Sequence, residues 1–160
     1  DGAAHFYGCY ECKDGKYISI GSIEPQFYAS LIENMELDAS KFSNQFDKNS
    51  WPNLKELIGL RFKEKTRDEW CKIFTGKDIC FAPVLSLEES LNNQHNLDRE
   101  TFVEVAGIKQ PAPAPRFSRT ESEIKHPPLK VGSNTPEIIE SLSSKIDVSA
   151  LSDKKIIRLD

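Results

Sequence analysis

The stretch Tyr17-Ile18-Ser19-Ile20-Gly21-Ser22-Ile23-Glu24-Pro25-Gln26-Phe27-Tyr28 contains a change of hydrophobic period. In its first half, Ile18 and Ile20 alternate with small polar residues and glycine, which predicts a half-buried β-strand. Pro25 suits the first position of a helix, where a missing N–H costs nothing. Apolar residues then recur at helical spacing, at Phe27, Tyr28, Leu31, Ile32 and Met35. The stretch therefore predicts a strand followed directly by a helix that ends near Leu37.

Glu24 lies at the junction, at the N-cap position of the predicted helix. Glutamate is unusual there, since shorter side chains reach back to the first free amides more easily. A carboxylate is still stabilised by the positive end of the helix dipole. Two interpretations stay open. Glu24 is a surface charge that complements the dipole, or the junction directs a fixed carboxylate into a cleft.

The flanking segments predict an α+β domain. Asp14-Gly15 forms the turn of a β-hairpin over residues 5–23. Pro52 begins a second helix, after a polar stretch at 38–50 that reads as a loop or a short helix. The capping box at Thr66–Glu69 begins another helix, which ends at Gly76. Further strands are predicted at 79–85, with Pro83 at an edge, and at 101–105, with Ala106-Gly107 as the turn. A second capping box at Ser86–Glu89 opens a helix that reaches about Asn93.

Residues 1–107 are accordingly predicted to be one small α+β domain, and residues 108–160 an extended arm. The arm contains a proline-rich run at 110–115, which favours polyproline II, and a helix that begins at Thr135-Pro136. The prolines are two residues apart, whereas SH3-type ligands space them by three, so a covering arm is favoured over an interaction motif. Arg116 and Arg119 follow the run. Either they pair with carboxylates, or one of them faces an anionic ligand.

Composition excludes several classes of function. The chain has 160 residues, with 25 Asp and Glu against 21 Lys and Arg, and a net charge of −4. This balance argues against a nucleic-acid partner or an anionic membrane surface. No apolar run approaches the length of a membrane span, and no signal peptide is visible. With thiols that are expected to be reduced, these features predict an intracellular protein.

The four cysteines do not predict a metal or redox site. Cys9 and Cys12 stand three apart in a predicted strand, so their thiols point to opposite faces. No second pair completes a zinc site, and the pair does not open a helix as a redox motif would. Cys71 and Cys80 fall in apolar patterns and are predicted to lie in the core.

A complete catalytic site is not visible in the sequence. Phosphate-loop, nucleophile-elbow and zinc-protease motifs are absent. His95 and His126 are predicted to be exposed. His5, in the hairpin, is the histidine that is least easily excluded as a catalytic residue. Acid–base catalysis needs at least two placed groups, and only Glu24 is a candidate. The chain is therefore predicted to be part of an enzyme, or not an enzyme.

Four separated segments resemble the racemases of the family III CoA-transferase group. They are Asp1-Gly-Ala-Ala-His-Phe-Tyr7, Asp14 through Tyr28 with its Glu24-Pro-Gln-Phe27, Ile79-Cys-Phe-Ala-Pro-Val-Leu85 and Pro113-Ala-Pro-Arg-Phe-Ser-Arg-Thr120. The resemblance runs from residue 1 to about 130, in the order expected for the family. It implies a small α+β domain and a C-terminal arm that returns to a large CoA-binding domain, which is absent here. It also implies an interlocked homodimer whose active site combines the large domain of one subunit with the small domain of the other.

The implied reaction inverts the 2-methyl centre of a 2-methylacyl-CoA thioester through an enolate. No separate cofactor is implied, because CoA is part of the substrate. The family's proton-transferring His and Asp have no counterpart here, so the isolated chain is expected to be inactive. Glu24 matches the carboxylate that supports the catalytic histidine of the partner subunit. The resemblance implies a cytoplasmic location for a bacterial protein and a peroxisomal or mitochondrial one for an animal protein.

Two alternatives to the racemase remain. A family III acyl-CoA:carboxylate CoA-transferase would use an aspartate nucleophile in the large domain. Such transferases usually carry Asn-Asp-type residues where this chain has Ile23-Glu24-Pro25, which favours the racemase. An alternative of another class is a non-enzymatic interaction module that uses the proline-rich arm.

Overall fold

The computed structural model describes residues 2–142 and 147–157. The predicted α+β class is confirmed, since helices combine with two small antiparallel sheets. The chain divides into two compact units, residues 1–90 (unit 1) and residues 91–160 (unit 2). The assignment of residues 1–107 to a small domain and of 108–160 to a returning arm stays a prediction. Parts of that arm, residues 143–146 and 158–160, lie outside the described residues, as does Asp1.

A three-stranded antiparallel sheet forms one side of unit 1, in the order β1 (Tyr7–Glu11), β2 (Tyr17–Gly21) and β3 (Phe81–Val84). The predicted hairpin is confirmed, and Gly15 takes the left-handed conformation that its turn requires, with φ +74°. Strand β3 pairs only with β2, so Pro83 lies on an edge strand as predicted. Inward residues of β2, Ile18 and Ile20, are almost fully buried.

Four helices complete unit 1 or end at its boundary: α1 (Pro25–Asn34), α2 (Trp51–Phe62), α3 (Arg67–Phe74) and α4 (Leu87–Leu91). Each begins where the sequence predicts, within a residue. Their apolar faces and the sheet share one core, which is rich in aromatic side chains. The fully buried large members are Ile18, Leu31, Met35, Ile58, Phe62, Trp70, Phe74 and Ile79.

Helix α1 ends three residues earlier than predicted. Glu36 adopts a left-handed backbone with φ 54°, which stops the helix after Asn34. The N–H of Leu37 then donates to the carbonyl of Ile32 at 3.0 Å, and the N–H of Glu36 donates to that of Glu33 at 2.9 Å. These two bonds are those of a Schellman motif. The sequence conceals the stop, since the left-handed residue is a glutamate and not the usual glycine.

A partly buried ion pair attaches α4 to the rest of unit 1. Arg67, at the start of α3, donates to Glu89 of α4 at 2.8 and 2.9 Å and to the carbonyl of Val84 at 2.9 Å. Lys16 approaches the same carboxylate at 2.7 Å. Hydrogen bonds from Arg67, Lys16 and the amide of Ser86 hold the pKa of Glu89 well below its usual range.

Unit 2 contains α5 (Gln94–Asp98), a hairpin of β4 (Phe102–Val105) and β5 (Ile108–Pro111), and helices α6 (Thr135–Leu142) and α7 (Val148–Asp153). The prediction of polyproline II from residue 110 is wrong at its start, because Gln110 and Pro111 belong to β5. Both turn residues of the hairpin, Ala106 and Gly107, have positive φ, as a tight two-residue turn requires. None of the described helices is long and apolar enough to cross a bilayer.

Two further predictions are wrong. Cys80 is exposed instead of being part of the core, because its neighbours Ile79 and Phe81 take the core side of the chain. The helix opened by the Ser86–Glu89 box ends at Leu91 and not near Asn93. Asn93 instead begins α5, where its side chain accepts a hydrogen bond from the N–H of His95.

Candidate functional site

Glu24 lies at the N-cap of α1, as the sequence predicts, and its side chain is exposed. Its backbone is extended, with φ −69° and ψ 143°, and its carbonyl accepts the first helical hydrogen bond, from Tyr28 at 3.0 Å. The carboxylate caps none of the helix amides. It enters no ion pair among the described residues. The junction therefore presents a carboxylate that the fold of unit 1 does not use.

The residue two positions before Glu24 anchors the junction from inside. Ser22 is fully buried, and its hydroxyl donates to the carbonyl of Ile79 at 2.5 Å. Its N–H donates to the carbonyl of Phe6 at 3.0 Å. Ser22 thereby joins the end of β2 to two other segments of the chain, and the backbone leading to Glu24 has no freedom to swing.

A glutamine from the 38–50 loop provides the second anchor. Gln45 is 7% exposed, and its amide nitrogen donates to the carbonyls of Ser22 at 3.0 Å and Ile23 at 2.9 Å. The indole N–H of Trp51 fixes Gln45 in turn, through its carbonyl at 2.8 Å. This role could not be predicted from the sequence, because a glutamine in a polar loop carries no periodic signal that separates it from an exposed one.

Cys80 provides a third contact with the junction. Its carbonyl accepts the N–H of Gly21 at 2.8 Å, and its backbone is left-handed, with φ 57°. Desolvation, followed by the negative charges of Glu24 and Asp78, raises the pKa of the Cys80 thiol. A thiol with a raised pKa stays protonated at neutral pH, so Cys80 is not an activated nucleophile.

His5 is a core residue and does not meet Glu24. It is fully buried, and its Nε2 lies 2.7 Å from the hydroxyl of Tyr28. Its ring packs edge-on against Phe6 and Tyr28. Burial lowers the pKa of His5 to about 4, so the imidazole is neutral at physiological pH. These contacts give His5 a structural role in the core of unit 1.

The other titratable candidates do not join the junction. His95 and His126 are exposed, as predicted. None of the three histidines hydrogen-bonds or ion-pairs with Glu24 in the part of the chain that the structure describes. Within the same residues, no cluster of three or more His, Cys, Asp or Glu is placed to hold a metal. The junction can therefore orient or charge-stabilise a neighbouring group, but it has no second group with which to move a proton.

An apolar groove of about 500 Å³ lies along α1 and begins at Pro25, the residue after Glu24. Its lining includes Tyr28, Ala29 and Ile32 of the helix and Phe42 of the 38–50 loop. Glu24 is therefore the residue that immediately precedes this groove in the chain. The groove is large and apolar enough to accept a hydrocarbon chain.

The chain is similar to known proteins of one family. A family model described as CoA-transferase family III matches residues 1–135. The chain is 37% identical, over its whole length, to a mouse protein named alpha-methylacyl-CoA racemase, and 38% identical over 98% of its length to the human protein of that name. It spans 43% and 42% of the length of these two relatives.

A solved structure supports the fold. The crystal structure of the hypothetical protein Rv3272 from Mycobacterium tuberculosis superposes with a TM-score of 0.67 at 16% identity. The match covers 84% of this chain and 39% of the other. At this level of identity, the likeness concerns the fold alone.

Proposed function

The chain belongs to family III of the CoA-transferases, and from that premise we propose that it is part of a racemase acting on 2-methylacyl-CoA thioesters. The observation that carries the proposal is the uncommitted carboxylate of Glu24 on a rigid junction, in a chain whose racemase relatives match it over nearly its whole length. The apolar groove beside α1 supports a substrate with a hydrocarbon chain.

The proposed reaction consists of two proton transfers, and the product has the same atoms as the substrate. A base takes the proton from the carbon that carries the 2-methyl group, and the electron pair of the broken C–H bond moves into the thioester as an enolate. An acid on the opposite face then gives a proton to the same carbon, which inverts it. Hydrogen-bond donors stabilise the charge that develops on the thioester oxygen.

Glu24 is proposed as a positioning residue and not as a proton-transfer group. A carboxylate that accepts the N–H of an imidazole fixes its orientation and favours its charged form. Since none of the described histidines contacts Glu24, the imidazole would come from another part of the full-length protein. We place it in the large domain of the second subunit of an interlocked homodimer. The described residues supply no second proton-transfer group, so the 160-residue chain alone is proposed to be inactive.

The reaction class is tested with the full-length protein and a single stereoisomer of a 2-methylacyl-CoA in deuterium oxide. The proposal predicts loss of optical purity together with one deuterium at the α-carbon, without any added carboxylate. A CoA-transferase would instead move CoA to an added carboxylate and leave the α-carbon unlabelled. That result would overturn the racemase and support the transferase alternative.

The role of Glu24 is tested by the pH profile of exchange in the full-length protein. Glu24→Gln removes the charge that favours the imidazolium, so the imidazole pKa that limits kcat/KM should fall, and the rate should drop about tenfold or more. Glu24→Asp should restore part of the rate. Glu56→Gln, an exposed glutamate of α2 away from the groove, is the matched control and should keep the wild-type profile. An unchanged pH profile in Glu24→Gln would mean that Glu24 is only a surface charge at the start of α1.

A further inference from the structure

A buried histidine to which the proposed reaction gives no role packs behind the groove along α1. The ring centroid of His5 lies 5.5 Å from that of Tyr28 and 6.0 Å from that of Phe42, and both of these neighbours line the groove. We propose that His5 is a positioning residue, which holds Tyr28 so that only its ring faces the groove and thereby favours long acyl chains. The groove is assigned the acyl chain by the proposed function, on which this role of His5 rests.

The hydrogen bond between His5 and Tyr28 is the basis of this role. The Nε2 of His5 lies 2.7 Å from the hydroxyl of Tyr28, and the bond is buried. Burial lowers the pKa of His5 and raises the pKa of Tyr28, so both groups are neutral at neutral pH. Because the hydroxyl is bound on the core side, Tyr28 presents apolar ring atoms to the groove. A polar atom in this wall would instead weaken the binding of a hydrocarbon chain.

The other ring nitrogen of His5 is not satisfied. Its Nδ1 is buried and has no hydrogen-bond partner within residues 2–142 and 147–157. A histidine at this position is therefore destabilising compared with an apolar residue of similar shape, since a buried polar atom without a partner loses its hydration. Packing alone gives no reason for a histidine here. The bond to Tyr28 gives one, because no apolar side chain could hold the hydroxyl.

A second tyrosine bonded to His5 separates support of the core from support of the groove. Tyr10 donates its hydroxyl to the backbone carbonyl of His5 at 2.6 Å, and it is not among the residues that line the groove. Tyr28, in contrast, lines the groove, and its N–H also donates to the carbonyl of Glu24 in the first turn of α1. The bond from Tyr10 supports only the core, so Tyr10 provides a matched control.

The experiment measures the dissociation constants of racemic 2-methylbutanoyl-CoA and racemic 2-methyldodecanoyl-CoA for the full-length protein, by isothermal titration calorimetry. The ratio of the two constants isolates the acyl chain, because the CoA part is the same in both compounds. Binding does not need turnover, so this test and the exchange assay for the proposed function can fail independently of each other. The wild-type protein should bind the longer chain about tenfold more tightly or better. Equal affinities would overturn the proposed role of His5.

His5→Phe removes the partner of the Tyr28 hydroxyl, which should then turn towards the groove. We expect the longer acyl-CoA to bind about tenfold more weakly relative to the shorter one, because its chain now meets a polar group. His5→Gln, whose amide can still donate to the hydroxyl oxygen, should keep the wild-type ratio. Tyr10→Phe should lower the free energy of unfolding and also keep the wild-type ratio. A loss of the ratio in Tyr10→Phe equal to that in His5→Phe would overturn the role, since any core defect would then suffice.

The double variant His5→Phe with Tyr28→Phe separates the hydroxyl from the packing, because it has no hydroxyl to turn outwards. It should restore the wild-type preference for the longer chain within about twofold. If the double variant stayed as impaired as His5→Phe, the loss would come from disturbed packing and the role of His5 would be overturned. A wild-type ratio in His5→Phe would overturn it as well. If His5→Phe shows no cooperative urea transition, His5→Leu makes the same comparison with a smaller side chain.

Discussion

Two helices of unit 1 begin in opposite ways. At α3, the hydroxyl of Thr66 accepts the N–H of Glu69 at 3.3 Å, and the carboxylate of Glu69 accepts the N–H of Thr66 at 2.8 Å. At α1, Glu24 has a carboxylate in the cap position and caps nothing. The first carboxylate is committed to the stability of its own helix, and the second is left available. The difference shows that the backbone of Glu24 is anchored while its carboxylate does not cap α1.

The largest effect is expected from removing the anchor of the α1 junction. Gln45→Leu keeps a similar volume but leaves the buried carbonyl of Ser22 and the partly buried carbonyl of Ile23 without their donor. We expect a loss of about 2 kcal/mol in the free energy of unfolding, measured by urea denaturation. In the full-length protein, α-proton exchange should fall as well, because Glu24 loses its fixed position.

The control for this variant is Gln94→Leu, which changes an exposed glutamine of α5. It should stay within about 0.5 kcal/mol of the wild type. If Gln45→Leu were as stable as this control, the glutamine would not anchor the junction.

A smaller effect is expected at α3. Thr66→Ala removes the cap hydroxyl and should cost about 1 kcal/mol, seen as a lower urea midpoint with an unchanged slope. Thr66 lies on a helix that has no role in the proposed chemistry, so α-proton exchange by the full-length protein should be unaffected. A stability change below about 0.3 kcal/mol would mean that the capping box does not contribute.

The same cap predicts a dependence on pH. Hydrogen bonds from the backbone N–H and then the hydroxyl of Thr66 lower the pKa of Glu69 below its usual value. A lowered pKa in the folded state stabilises the fold above the unfolded-state value, near 4.5, and this contribution disappears as the pH falls below it. Urea midpoints between pH 6 and pH 3 should therefore fall less steeply for Glu69→Gln than for the wild type. If the urea midpoint changed equally with pH in both proteins, the charge of Glu69 would not contribute to the stability of the cap.

The start of α3 could be predicted fully from neighbouring residues. The Thr66-x-x-Glu69 spacing defines a capping box within four residues, and the structure contains both of its hydrogen bonds. The change of period at residue 24 likewise placed Glu24 at the start of α1. In these cases the determining contacts are between near neighbours, so the sequence pattern contains them.

The anchors of Glu24 could not be predicted, because each joins residues that are distant in the sequence. Gln45 acts on Ser22 across 23 residues, and Ser22 acts on Ile79 across 57. The strand β5 was missed for a related reason, since proline composition suggested an extended arm while pairing with β4 decides the conformation. The early end of α1 was missed because a glutamate, not a glycine, takes the left-handed position.

The most direct test combines stability and exchange for Glu24→Gln and Thr66→Ala in the full-length protein. Each variant is measured for its urea midpoint and for its rate of α-proton exchange from a 2-methylacyl-CoA. We predict that Glu24→Gln stays within about 0.5 kcal/mol of the wild type in stability and loses about tenfold or more of its exchange rate. Thr66→Ala should lose about 1 kcal/mol of stability and keep its exchange rate. If Glu24→Gln destabilised the protein while exchange stayed at the wild-type rate, Glu24 would be a structural residue and would not position a catalytic group.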